Sequence, residues 1–207
     1  MKIILIGAQF SGKGTLAKKI ARDFGFKHIS PGDLFRENIK NGTEIGLLAK
    51  SYMDKGVLVP LEVTVEVIKN KLQSEECAGG FILDGFPRSK EQALALKEIS
   101  DIDNVILLDV PLDEIKRRCL SRRVCPNCGE IYSTTTYSKS DCDKCNTPLI
   151  QRDDDNWESI KTRLEVYERE TTPLINFYAD RLFVVQGQDD PDATYEPVKN
   201  FLKGKLK

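Results

Sequence analysis

The chain begins with a short apolar, β-branched run, "KIILI" at residues 2 to 6, that stops at Gly7. Comparable runs recur at "FILD" (81 to 84), "NVILLDV" (104 to 110) and "LFVVQ" (182 to 186), with a weaker one, "HIS", at 28 to 30. Continuous apolar runs of this length fit strands buried on both faces. Between them the spacing turns helical. After the first run, Leu16, Ala17, Ile20 and Phe24 share one face, and similar patterns predict helices over 61–73, 89–99, 112–121, 157–178 and 191–203. Strands alternating with helices predict a parallel sheet covered on both faces, because parallel neighbours need crossover connections. A ligand crevice is then expected at the carboxyl ends of the strands.

Two segments break this alternation. Residues 31–59 read as two short helices, "GDLFRENIK" and "EIGLLAKSYMDKG", with no strand between them, and residues 122–155 are poor in large apolar groups. Both are expected to project from the sheet. The boundaries give a core of 1–29, 60–121 and 156–207, a helical insertion of 30–59 and a second insertion of 122–155. With 207 residues and 40% hydrophobic content there is apolar material for one core of ordinary size. Lysines and arginines number 31 against 32 acids. So even a balance gives no general pull toward nucleic acid or an anionic membrane, and any anion site must be local. No apolar stretch approaches the length of a membrane span, and the reading is a soluble, cytoplasmic protein; a monomer is expected, although nothing in the sequence itself sets the oligomeric state.

The local anion site is legible at "GAQFSGKGT", Gly7 to Thr15. Gly7, Gly12, Lys13 and Thr15 nearly fit a phosphate loop, with Gly14 interposed, and the loop lies between a predicted strand and a predicted helix as such loops require. Its backbone N–H groups and the following helix N-terminus surround phosphate oxygens, while the lysine supplies a mobile charge. Phe10 is bulky where such loops are slim. Because the loop works through amides, an outward-pointing ring is expected to be tolerated, provided residue 10 keeps a negative φ.

"FILDGFPRSKEQ" (81 to 92) puts Asp84 at the end of a buried strand, follows it with a bend at Gly85 and Pro87, and directs Arg88 to the same crevice. Together with the GKGT ending, "DGFPR" and a glutamine four residues beyond resemble the adenylate kinases of the nucleoside monophosphate kinase family. The likeness spans nearly the whole chain. It implies a P-loop NTPase-type sheet with an AMP-binding insertion and a lid, and the reaction Mg·ATP + AMP ⇌ 2 ADP, which maintains adenine nucleotide balance. ATP would meet Phe10, Ser11, Gly12, Lys13, Gly14 and Thr15 of the loop, Arg118 and Asp189 near the base, and Arg122, Ile131 and Tyr132 of the lid. AMP would meet Pro31 and Arg36 of "SPGDLFR", Val57, Leu58 and Val59 of "GVLVP", and Gly85, Phe86, Pro87, Arg88 and Gln92. Arg152 and Arg163 would reach the phosphates. Lys13, Asp84, Arg88, Arg122, Arg152 and Arg163 are the candidate catalytic groups, Asp84 serving magnesium, with Asp154 and Asp155 at a lid hinge. Pro31 replaces the family's threonine and removes a hydroxyl and a backbone donor. His28, the only histidine, is expected near a strand end in a structural role, since an already anionic acceptor needs little proton abstraction.

Cys125, Cys128, Cys142 and Cys145 follow C-x₂-C-x₁₃-C-x₂-C, a pattern for structural zinc; disulfides are the competing reading. Zinc-bearing adenylate kinases of the long-lid type carry this arrangement. Rival functions are a UMP/CMP kinase, a GTP-dependent AMP kinase and, from another class, a zinc-ribbon nucleic-acid binder on a P-loop scaffold. Asp141, Asp143 and Asp153 to Asp155 in the insert argue against the last.

Overall fold

The computed structural model describes residues 1–152, 155 and 157–206, with Trp157 in its backbone alone. Five strands, β1 (Lys2–Ile6), β2 (Lys27–Ile29), β3 (Phe81–Asp84), β4 (Asn104–Asp109) and, after a small hairpin of β5 (Arg122–Val124) and β6 (Ile131–Ser133), β7 (Leu182–Gln186), make a parallel sheet in the order β2-β3-β1-β4-β7. The central β1 pairs with β3 on one side, Ile3 opposite Ile82, and with β4 on the other, Ile3 opposite Asn104. The chain crosses from one flank of β1 to the other between β3 and β4, so the crevice beyond the carboxyl end of β1 lies where the strand order reverses.

Helices cover both faces of the sheet, and because the strand period is 2 alternate side chains enter opposite layers; the edge strand β7 leaves Val184 exposed. Ile3, Leu5, Ile82, Ile106 and Leu108 face a layer that includes α1 (Lys13–Phe24), while Ile4, Ile6, Leu83, Val105 and Leu107 face the opposite layer. On the first face, Ile20 of α1 and Val198 and Leu202 of the final helix, Pro191–Lys205, are fully buried. The opposite face takes Ile68 from the helix Leu61–Leu72 and Ala93 and Leu96 from the helix Lys90–Ile99. Each such side chain removed from water is worth about 1.5–3 kcal/mol. This core fixes the five strand ends that hold the site.

In chain order the helices are α1, α2 (Pro31–Lys40), α3 (Glu44–Met53), α4 (Leu61–Leu72), α5 (Lys90–Ile99), α6 (Leu112–Ser121), α7 (Trp157–Val166), α8 (Leu174–Phe177) and α9 (Pro191–Lys205). The expected strand–helix alternation is present. α2 and α3 pack on a small cluster of their own around Phe35, Ala49 and Val59. The single long helix expected over 157–178 is instead α7, a π-helical turn at Tyr167–Thr171 and the short α8. Pro173, which has no N–H to donate, stands at the restart. The β5–β6 hairpin has no counterpart in the sequence reading. Among the described residues, no helix is long and apolar enough to cross a membrane.

Candidate functional site

The phosphate loop turns out of β1 directly over β4. A Cβ on Gly7 would come 2.6 Å from the carbonyl oxygen of Leu108, so only glycine lets the chain leave the sheet here. Lys13 opens α1 and folds its Nζ back into the loop, donating to the carbonyls of Gly7 and Ala8 at 2.6 Å each and lying 3.4 Å from Ser11 Oγ. Burial lowers the Lys13 pKa from 10.5 to about 8; Arg88 and Arg122 push it the same way, and Asp84 opposes them. A nearby polyanion reverses that balance, which suits a phosphate ligand.

The expectation for Phe10 needs correcting. Its φ is +62°, in the left-handed region that a bulky side chain adopts only at a cost. Its ring is partly buried, packs against the core and lies beneath the Arg122 guanidinium.

A single cleft of about 1450 Å³ runs from the loop to α2 and α3. It is lined by every nucleotide-site residue named from the sequence except Phe86 and Pro87. Phe86 is fully buried in the core beneath the cleft, and Pro87 is buried next to it, joined by a cis Phe86–Pro87 peptide, so neither side chain forms part of the cleft wall. The bend at Gly85, φ +75°, turns Phe86 inward and brings Arg88 back to the cleft, where Arg88 Nε donates 2.7 Å to the Gly85 carbonyl. Gln92 is buried, and its Oε1 accepts from the Arg88 amide at 2.8 Å, while Thr171 Oγ1 donates to the Arg88 carbonyl at 2.8 Å. The bend is thus clamped from α5 and from the π-helical turn.

Carboxylates that the sequence reading passed over hold the cations in place. Asp33 Oδ1 accepts from Arg36 Nη2 at 2.6 Å and lies 4.0 Å from Arg152 Nη2. Although burial alone would raise the Asp33 pKa, Arg36 and then Arg152 keep it below its ordinary value. The signal for this pair was present, since Asp33 and Arg36 are three residues apart on one helix. Arg163 reaches across from α7 to the Met53 carbonyl, 3.4 Å away at the end of α3. His28 Nε2 lies 3.2 Å from Asp84 Oδ2, which gives this histidine a definite partner at the end of β3. Pro31 occupies the first turn of α2. There an amide has no intrahelical partner in any case, so the lost donor costs the helix nothing and only the hydroxyl is missing.

At the other end of the cleft, Arg118 Nη1 donates to the Ser11 carbonyl and Nη2 to the Gln188 carbonyl, both at 3.0 Å, while Nε is held by Glu114. The arginine therefore ties the phosphate loop to the loop after β7, where Asp189 pairs with Arg117. Glu114 lies four residues before Arg118 on α6 and was not singled out from the sequence. Across the loop, Ile131 comes within 3.8 Å of where a Gly14 Cβ would lie, and Lys18 of α1 donates 2.9 Å to the Gly129 carbonyl. The segment between β5 and α7 thus lies over the phosphate loop. Arg122 begins it and is bound through two nitrogens to Asp155 near its end. Asp154 lies outside the described residues.

The four paired cysteines converge. Cys125 and Cys145 Sγ are 3.4 Å apart, Cys128 and Cys142 Sγ 3.5 Å, and all four sulfurs lie within 4.8 Å of one another. A disulfide needs about 2.05 Å, so that reading is removed, whereas four thiolates about 2.3 Å from one ion stand about 3.8 Å apart. The two halves repeat one turn: the Gly129 amide donates to the Cys125 carbonyl at 3.0 Å, and the Asn146 amide to the Cys142 carbonyl at 2.8 Å. Gly129 at φ +70° and Asn146 at φ +54° are the residue types that reach this conformation most cheaply. The hydroxyl and amide of Thr147 pull the Cys145 pKa down, while, against the backbone at Glu130, burial and the neighbouring cysteines push that of Cys128 up. Four thiols this close cannot all ionise without a cation among them, and a metal would supply one. Cys77 and Cys119 are buried elsewhere. Tyr132 lines the cleft, with its hydroxyl turned to Asp143 and Cys142 and its ring tilted against Tyr137.

A phosphate loop at one end, arginines at the other and a cysteine-clasped segment above match a recognised arrangement. The family model described as adenylate kinase matches residues 5–182. The adenylate kinase of Clostridium acetobutylicum is 44% identical over 98% of this chain and 99% of its own. That of Bacillus licheniformis is 44% identical over the whole of both chains. The Ruminiclostridium cellulolyticum adenylate kinase is 46% identical over 98% of this chain and 99% of its own. The chain belongs to the adenylate kinase family.

Proposed function

We infer that the chain transfers the γ-phosphoryl group of Mg·ATP to AMP, reversibly, giving two ADP. The observation that carries this reading is the single cleft in which Lys13, Arg88 and Arg122 sit at one end and Arg36, Arg152 and Arg163 reach in from the other side. Guanidinium forks match phosphate oxygens, so these six cations can hold two nucleotides with their phosphates end to end. ATP is assigned to the loop of residues 10–15 and the wall of Arg118 and Asp189. AMP is assigned to the pocket of Pro31, Arg36, Val57 to Val59 and Gln92.

The acceptor is already anionic, so the chain's own work is alignment and charge stabilisation. Lys13 and Arg122 would steady the transferring group, and Arg88 the acceptor phosphate. The insertions 30–59 and 122–155 are proposed to close over AMP and ATP respectively and to exclude water, which would otherwise compete as acceptor. Asp84, at the carboxyl end of β3, is the hard oxygen donor for magnesium, which when bound with ATP supplies charge neutralisation of the β- and γ-phosphates. The four cysteines fit zinc with no open position, a structural crosslink for a segment too polar to hold its own core. The proposed working form is a cytoplasmic monomer that uses neither nucleic acid nor membrane.

The test is one assay of Mg·ATP with AMP, UMP, CMP and GMP as acceptors. AMP should exceed each of the others by at least tenfold in kcat/KM. Preference for UMP or CMP would overturn the assignment of Gln92 and of the pocket around it.

A further inference from the structure

Phe10 is held in the left-handed region at φ +62°, a conformation that persists in a bulky residue only where its surroundings over-determine it. The surroundings here are specific. The ring lies under the guanidinium of Arg122, whose Cζ is 4.3 Å from the ring centroid, and it also packs against the core beneath the loop. Asp155 grips the edge of the same guanidinium through Nε and Nη2. The side chains of Arg122 and Asp155 are 17% and 1% exposed. The cation is therefore held along its edge by a carboxylate and across one face by an aromatic ring, and a desolvated cation over a ring face is attracted by the ring quadrupole. With Asp155 alone, the guanidinium could still pivot about the carboxylate edge. The ring removes that freedom. Because Arg122 is the first residue of β5 and Phe10 belongs to the phosphate loop, the contact also ties the base of the four-cysteine segment to the loop.

We propose that Phe10 is a positioning residue: its ring fixes the plane of the Arg122 guanidinium at the phosphate loop, so that phosphoryl transfer, more than AMP binding, depends on an aromatic side chain at this position. The proposal rests on the reading of Arg122 as a phosphate contact.

Steady-state kinetics and thermal unfolding of the full chain test it with Phe10→Leu, which keeps bulk without a π face, Phe10→Gly, which also relieves the backbone, and Phe10→Tyr, which keeps the ring. Phe10→Leu and Phe10→Gly should each lower kcat about tenfold, the size of effect expected for losing one desolvated cation–π contact. KM for AMP should stay within about twofold, because the AMP phosphate is assigned to other arginines. In Phe10→Gly the relief of the left-handed φ should offset part of the packing lost with the ring, so the chain should still unfold cooperatively, and Phe10→Tyr should restore kcat to within about twofold. In an Arg122→Lys background, which removes the planar fork, Phe10→Leu should cost less than about twofold. Parental kcat in Phe10→Leu, or the same loss with and without Arg122, would overturn the proposal. Parental turnover in Arg122→Lys alone would instead remove the phosphate-contact reading, and the proposal with it.

Discussion

Arg122 and Asp155 meet across the two ends of the four-cysteine segment, Arg122 Nε donating 2.8 Å to Asp155 Oδ2 and Nη2 to Oδ1. The residues are 33 apart in sequence, and the Asp155 side chain is 1% exposed. The pair closes the base of the segment as a clasp and aims a cation into the cleft.

Breaking one side of a buried pair leaves an unpaired charge, which costs about 3–5 kcal/mol. Asp155→Ala should therefore lower stability by about 3 kcal/mol, the lower end because Arg122 retains some solvent access. Urea denaturation measures this. A double-mutant cycle with Arg122→Ala should give a coupling above about 1 kcal/mol. A coupling near zero would show that the two side chains do not stabilise each other.

With ATP assigned to the loop of residues 10–15, Lys13 predicts that ATP binding depends on pH. The buried ammonium has a pKa of about 8, and phosphate needs it protonated. Between about pH 8 and 10 the dissociation constant for ATP should rise about tenfold per unit as binding comes to require proton uptake. The linkage to folding has the opposite sign. The folded pKa lies below the ordinary 10.5, so the unfolded chain binds more protons in the window from about 8 to 10.5, and this site's contribution to stability rises with pH there. Calorimetric titration of ATP from pH 7 to 10 reads the first effect. Lys13→Met should flatten the profile, and an unchanged bend would assign it to another group.

The parts of this molecule that were readable from sequence are those set by local pattern. Runs such as "KIILI" and "FILD" are buried on both faces and so read as strands without ambiguity. The reading fails where pattern is overridden or absent. Apolar spacing continues past Pro173, yet the chain winds through a π-helical turn at Tyr167–Thr171 and restarts after Pro173, so one long helix became two. Arg122–Val124 and Ile131–Ser133 are too short to show periodicity, and the cysteine turns, not hydrophobicity, set their pairing. At the site the cations were legible from motif, but their carboxylate partners only in part. Asp155 finds Arg122 through space, and only Asp33 and Glu114 lie at helical spacing from the arginines they hold. The consequence of Phe10 depended on a backbone angle that composition does not report.

The cysteine cluster predicts one zinc per chain in protein purified under reducing conditions without chelators. Removing it with a chelator should lower the midpoint of thermal unfolding, since binding to the folded state alone adds to its stability. Replacing Cys142, a buried member of the set, with serine should give the same loss and abolish the response to chelator. Protein free of metal with an unchanged midpoint would contradict the assignment.

Pro31 is buried at the start of α2, where its missing amide is harmless, so any deficit lies in the missing hydroxyl. Pro31→Thr should tighten AMP binding by about threefold to tenfold, the worth of one hydrogen bond to a charged group or somewhat less. Stability should fall slightly, because proline is favoured at this helix position. Fluorescence or calorimetric titration of AMP decides the first point, and unchanged affinity would show that threonine adds no contact here.

The central claim is that one cleft holds two nucleotides with their phosphates meeting between Lys13 and Arg36. Calorimetry with two adenosines joined by five phosphates tests it most directly. The account predicts one such molecule bound per chain, far more tightly than ATP or AMP alone, displaced by either nucleotide, and weakened by Arg88→Ala or Lys13→Ala without loss of the fold. Failure to bind, or displacement by ATP but not by AMP, would contradict it.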